Sequence, residues 1–240
     1  MQSFAGVDGC RAGWIAVVHE AGKDPHIAVC PQFADLVASL PTDAVIAVDM
    51  PIGLPERIGP AGRGPEKLVR AFLAERQSSV FSIPARQAVY ALDYRNACEA
   101  ALSTSEPPRR VSKQAFHIFG KIREIDALLR RDSHLAKRVI EAHPEVAFWR
   151  QNGARAMSLP KKIRGRANPA GLAERTALLA LSGYSPDFLA QQSPRGAGRD
   201  DFLDAAVLAL VARRFLAGEA KPFPDPPGRD GFGLPIAIWA

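Results

Sequence analysis

Four aspartates and a glutamate stand where carboxylate chemistry could be done. Asp8 lies in Gly6-Val-Asp-Gly-Cys-Arg-Ala-Gly-Trp14, and its glycines at 6, 9 and 13 permit a tight turn and the close approach of another group. A phosphate or a metal ion beside Asp8 needs that approach; the plainer use of an aspartate at a bend is to satisfy turn amides. Asp49 follows the apolar run Ala44-Val-Ile-Ala-Val48, and an ionised carboxylate there is costly to bury unless it is paired or bound to a cation. Glu141 stands at or near the end of Arg138-Val-Ile-Glu-Ala142, which reads as a further strand. Asp201 and Asp204, three apart, share a helical face that continues to Leu208, Val211 and Phe215. The helix dipole accounts for acidic residues in a first turn, Asp200 and Asp201. It does not account for Asp204, a turn further in and followed by alanines.

Cations accompany these acids. Lys161, Lys162, Arg164 and Arg166 follow Pro160 and enclose Gly165, so the cluster reads as a loop presenting charge, to solvent or to a phosphate backbone. Lys121 lies on a helix whose Ala115, Ile118, Phe119, Ile122, Ile125 and Leu129 recur at core-packing spacing, capped by Ser112. Other nucleophiles and ligands lack companions: Ser78 and Ser79 have no identifiable base, and His143 has no second histidine at metal-site spacing.

The elements that must position these residues follow from periodicity. Residues 4–18 read as two β-branched-rich strands around the glycine-bracketed turn, residues 26–30 as a third strand, and 33–40 as a short amphipathic helix. The apolar run ending at Asp49 is typical of a strand buried on both faces, and in open α/β sheets ligands bind beyond the carboxyl ends of such strands. Residues 55–110, entered through a Pro/Gly-rich stretch, read as an insertion or lid with helices from Pro65 to about Arg76 and from Arg86 to Leu102. Helices are also expected at 169–181 and from Asp200, as its cap, onward, with a last short edge strand in Gly233-Leu-Pro-Ile-Ala-Ile-Trp239.

A chain of 240 residues suits one domain spanning 1–240, a compact core carrying the 55–110 insertion. No apolar run approaches the roughly 18 residues of a membrane span, and the start lacks the basic-then-apolar pattern of a leader. Three widely spaced cysteines without a C-x-x-C pair argue against a disulfide framework or structural zinc, and a reducing, cytoplasmic setting is expected. The net charge of +6 favours polyanionic partners, nucleic acid among them.

The order of hairpin aspartate, buried-strand aspartate, strand-end glutamate and aspartate pair opening an apolar helix resembles the ribonuclease H-like superfamily. Leu203-Asp-Ala-Ala-Val-Leu-Ala209 is similar to the last acidic motif of its Holliday-junction resolvases. More closely, Gly6–Trp14, Ala47–Leu54, Glu141–Glu145 with Phe148 and Trp149, and Asp201–Ala205 resemble a family of uncharacterised bacterial proteins described as predicted nucleases of that fold. The resemblance implies a five-stranded mixed sheet, its first three strands antiparallel, with helices on both faces. It also implies a nuclease using Mg²⁺ or Mn²⁺, with two ions about 3.5–4 Å apart serving the attacking and leaving oxygens. By this analogy Asp8 bridges the ions, Asp49 and Glu141 bind one or orient water, and Asp204, helped by Asp201, holds the other; Glu141 and Asp201 compete to complete the set. Two other readings share the fold. An ATP-using phosphotransferase of the actin-like or sugar-kinase type needs a second glycine-rich phosphate hairpin, and none is evident; a non-catalytic binding protein needs no metal. The sequence contains no recognition helix, stacking motif or zinc module that selects DNA, RNA, a junction or a small phosphoester, and no sign of oligomeric state.

Overall fold

A computed structural model describes residues 2–240. Its elements run β1 (Phe4–Cys10), β2 (Gly13–His19), β3 (His26–Cys30), α1 (Phe33–Ser39), β4 (Val45–Val48), α2 (Pro65–Arg70), α3 (Arg86–Val89), α4 (Tyr94–Thr104), α5 (Lys113–Arg131), β5 (Val139–Glu141), α6 (Pro144–Gln151), β6 (Lys162–Ile163), β7 (Arg166–Ala167), α7 (Pro169–Leu181), α8 (Pro186–Ala190), α9 (Arg199–Leu216), β8 (Pro222–Arg229) and β9 (Pro235–Trp239). Five strands form one mixed sheet in the order β3-β2-β1-β4-β5. The first three are antiparallel neighbours, and β4 joins β1 and β5 in parallel.

Strand parity divides the core. Ala5, Val7, Ile46, Val48 and Val139 face the side covered by α1, α4 and α5, whereas Phe4, Cys10, Val45, Ala47 and Ile140 face the side covered by α6, α8 and α9. Gly6 shares this second face, where α9 crosses β1 so closely that an added Cβ would collide with the backbone of Ala205, Leu208 and Ala209. That glycine is the contact that brings the first turns of α9 to the carboxyl end of β1.

The helix expected from Pro65 to Arg76 stops at Arg70, and a 3₁₀ turn follows at Ala74–Ser79. The helix expected over 86–102 is two helices, because Asp93 takes an extended conformation and its side chain accepts the Asn96 N–H (2.8 Å), starting α4 afresh. Gly198 rather than Asp200 is the N-cap of α9, with Asp201 accepting the Gly198 N–H at 2.8 Å. The C-terminal strand β9 pairs with β8 and meets the edge of the main sheet at the Ala142–Trp239 bridge. Strand β8, with prolines at 222, 224, 226 and 227, pairs with β9 alone, a setting that tolerates missing N–H donors. No described helix is long and apolar enough to cross a membrane.

Candidate active site

The carboxyl ends of β1 and β4 lie side by side. Val7 pairs with Val48, and the Asp49 N–H donates to the Val7 carbonyl at 2.9 Å, so Asp8 and Asp49 are neighbours on the α9 face. Asp204, 1 % exposed, lies on α9, and Glu145, 4 % exposed, lies in the first turn of α6. Between them enters Lys161, whose Nζ donates to Asp204 Oδ2. Asp204 Oδ1 and Glu145 Oε2 are buried without a hydrogen-bond partner.

The electrostatics reflect this crowding. Burial raises the Asp8 carboxyl well above its ordinary range, and Asp49 and Asp204 push it further, with Lys161 opposing. Asp49 is raised by burial, with Glu145 adding to the shift and His143 and Lys161 opposing it. Asp204 is raised by burial to about 7, again against Lys161. Asp201 is raised by burial, against the Gly198 N–H it accepts. Lys161 is itself held protonated: burial disfavours its charge, but Asp204 and Asp8 outweigh burial.

Asp8, Asp49, Asp201 and Lys161 border a cleft of about 390 Å³ whose other walls include Met50, Phe81, Ile118, Lys121 and His143, whereas Asp204 and Glu145 are buried and do not line it. Ser79, Val80, Phe81 and Ile83 of the 55–110 segment form one side. Lys121 reaches the cleft past Gly9, where a Cβ would come within 2.9 Å of its Cδ. Its ammonium donates to the Gly13 carbonyl and lies 4.3 Å from the Trp14 ring centroid. Lys162 pairs at the rim with Asp200 at 2.5 Å. Arg164 is exposed at the β6–β7 tip with φ 50°, and it is not among the residues that line the cleft.

Glu141 also borders the cleft but differs in direction. Its register partner on β4 is Val48, not Asp49, so its carboxylate leaves the sheet on the opposite face. There Arg63 grips both oxygens, with Nη1 to Oε2 at 2.9 Å, and the Ile52 N–H donates to Oε2 at 2.8 Å. Although Glu141 borders the cleft, its carboxylate is committed to holding the loop after Asp49. Asp201 likewise gives one oxygen, Oδ2, to the Gly198 N–H that opens α9. The acid that joins Asp8, Asp49 and Asp204 is Glu145, held through Oε1 by the fully buried Arg175 at 2.6 Å. Two sequence features point to it: Pro144 at the start of a helix, and the location of that start directly after a parallel strand. Arg175 carries a fainter mark, one turn from Gly171 and one from Leu179 on the buried stripe of α7.

The donor chemistry suits a hard cation: carboxylate oxygens, two of them orphaned. A preformed protein cage is absent, since among the described residues no three acidic, histidine or cysteine side chains stand in metal-holding geometry. Mg²⁺ commonly binds through one or two carboxylates and completes its shell with water and substrate phosphate, so the donors fit that mode.

The fold and cleft together define an α/β protein with an acidic site at the carboxyl edge of a five-stranded mixed sheet. The chain belongs to the family described as Protein of unknown function (DUF429), whose profile matches residues 6–229. No curated protein and no solved structure matches it.

Proposed function

We propose that this protein is a divalent-cation-dependent phosphodiesterase of ribonuclease H-like type, acting on nucleic acid. The observation that carries the reading is Asp204: a buried carboxylate with one orphaned oxygen, gathered with Asp8 and Asp49 where two parallel strands end. Lys161 offsets one charge of this group, and the carboxylates beyond that are costly to bury ionised unless a further cation is bound. The strand order and the antiparallel first three strands support the superfamily assignment.

Asp8 and Asp49 would hold Mg²⁺ or Mn²⁺, and Asp204 would act through a water of the ion's shell. A bound ion of this kind polarises a phosphoryl oxygen and lowers the pKa of a coordinated water. The chain supplies the rest. Lys161 carries positive charge beside the acids, where the non-bridging oxygens of a phosphodiester would lie, and Lys121 and Lys162 extend that charge along the walls. Phe81 and Ile118 offer apolar surface to a sugar or base and exclude water from part of the cleft.

A metal-free binding protein on the same fold is the second reading, favoured by the pairing of Lys161 with Asp204. One panel separates the two: single- and double-stranded DNA and RNA, a four-way junction and bis(p-nitrophenyl) phosphate, each with Mg²⁺, Mn²⁺ or EDTA. The proposed activity requires cleavage of at least one substrate that EDTA and Asp8→Asn both abolish. Intact substrates under every condition, with oligonucleotide still bound, establish the binding reading instead.

A further inference from the structure

The cleft contains a cation of its own, and its charge balance bears on how many ions can enter. Asp8, Asp49, Asp204 and Glu145 contribute four carboxylates, and the lysine and arginine in contact with this group are Lys161, its side chain 25 % exposed, and the fully buried Arg175. At the rim Asp200 is paired with Lys162, and Asp201 Oδ2 accepts the Gly198 N–H. With the acids ionised, the interior is short of two positive charges, which is the charge of one divalent ion.

Lys161 is also fastened in place. Glu174 accepts the Ser158 and Leu159 N–H groups at 2.8 and 3.0 Å, and Arg175 Nη1 donates to the Leu159 carbonyl at 2.9 Å. Asn168 Nδ2 donates to the Pro160 carbonyl at 2.7 Å, and the Asn168 N–H donates to the Lys161 carbonyl at 2.9 Å. Gly171 lets this segment lie directly on α7, since a Cβ there would strike the Pro160 carbonyl. Arg175 thus anchors both the strand of chain carrying Lys161 and the carboxylate of Glu145. A lysine held by so many contacts at its root is part of the site's frame rather than a solvent side chain that happens to fold inward.

We propose that the site takes one divalent cation, bound at Asp8 and Asp49, and that the Lys161 ammonium permanently supplies the positive charge a second ion would bring to Asp204. This rests on the metal-site reading above and departs from the paired-ion arrangement that the superfamily resemblance implies. The unpartnered Oδ1 of Asp204, on a side chain 2 % exposed, remains free for the bound ion or its water.

Counting Mn²⁺ by equilibrium dialysis, with electron paramagnetic resonance to detect coupled pairs, tests this on the intact chain without any substrate. The wild type should bind one Mn²⁺ with an uncoupled spectrum, Lys161→Gln should bind two, and Lys161→Arg should return to one. Circular dichroism establishes that the Gln variant is folded; if it is not, the wild-type count still decides. Two coupled ions in the wild type, or one ion in both wild type and Lys161→Gln, overturns the proposal while leaving a metal site standing. No ion bound by any variant overturns the metal-site reading and this proposal with it.

Discussion

Asp49 and Glu141 end adjacent parallel strands, yet a one-residue difference in register sends their carboxylates to opposite faces of the sheet. Their consequences on substitution should therefore diverge. Glu141→Gln breaks a buried pair and leaves Arg63 without its full counter-charge, so it should cost about 3 kcal/mol of stability while preserving the thermal shift expected with Mn²⁺. Asp49→Asn removes a carboxylate that no described side chain or amide hydrogen-bonds and that crowds Asp8. It should leave the metal-free protein as stable as the wild type or about 1 kcal/mol more so, a rise of roughly 2–4 °C, and should abolish the Mn²⁺ shift. Paired melting curves check both. The opposite pattern would return Glu141 to the site. At this scale the sequence made Asp49 and Asp204 legible because each is a carboxylate where apolar patterning leaves no ordinary use for one, and Asp8 because its glycine-bracketed bend permits close approach, although its Oδ1 also accepts the Gly9 N–H at 2.7 Å as a turn aspartate does. Glu145 was hidden because a first-turn glutamate already has an explanation in the helix dipole, and Arg63 because an arginine in a Pro/Gly-rich loop has no periodicity to mark it.

The element that controls the site is α9, and its approach to β1 is set by Gly6. Replacing Gly6 with alanine places a methyl group against helix backbone that has no rotamer with which to yield. Gly6→Ala should cost about 3 kcal/mol or more, read by chemical denaturation. It should also weaken Mn²⁺ binding although residue 6 touches no ligand, because Asp204 would retreat with the helix. An alanine tolerated without either effect would mean that α9 can shift without consequence for the cleft. Strands β1 to β4 and helices α5, α7 and α9 were legible in the sequence because each pairs a clean hydrophobic period with a cap or breaker. The 55–110 helices were misjudged in length because apolar residues continue at helical spacing through breaks fixed by local conformation, the positive φ of Ala74 and the extended Asp93. Strand β8 was not legible at all, since four prolines mask a segment that needs only one bonded edge.

At the scale of the whole molecule, two separately packed faces meet along one sheet, and the acidic cleft lies at the sheet's carboxyl edge, where both contribute walls: α5 and the 55–110 segment from one side, α9 and the Lys161 segment from the other. Buried ion pairs tie the connecting loops to these faces: Arg63 to Glu141, Arg86 to Asp126 and Asp230, and Arg175 to Glu145. Such pairs hold geometry more than they add stability, and here they leave Asp8 and Asp49 without an ion pair of their own, beside the Asp204–Lys161 pair. The central claim is that this place binds a divalent cation. Diffraction from crystals grown with Mn²⁺, recorded for its anomalous signal, tests it most directly. The account predicts an anomalous peak within coordination distance of Asp8 and Asp49 and beside Asp204, absent from Asp8→Asn crystals; a fully occupied lattice in which Lys161 still pairs with Asp204 and no peak lies near these carboxylates would contradict it.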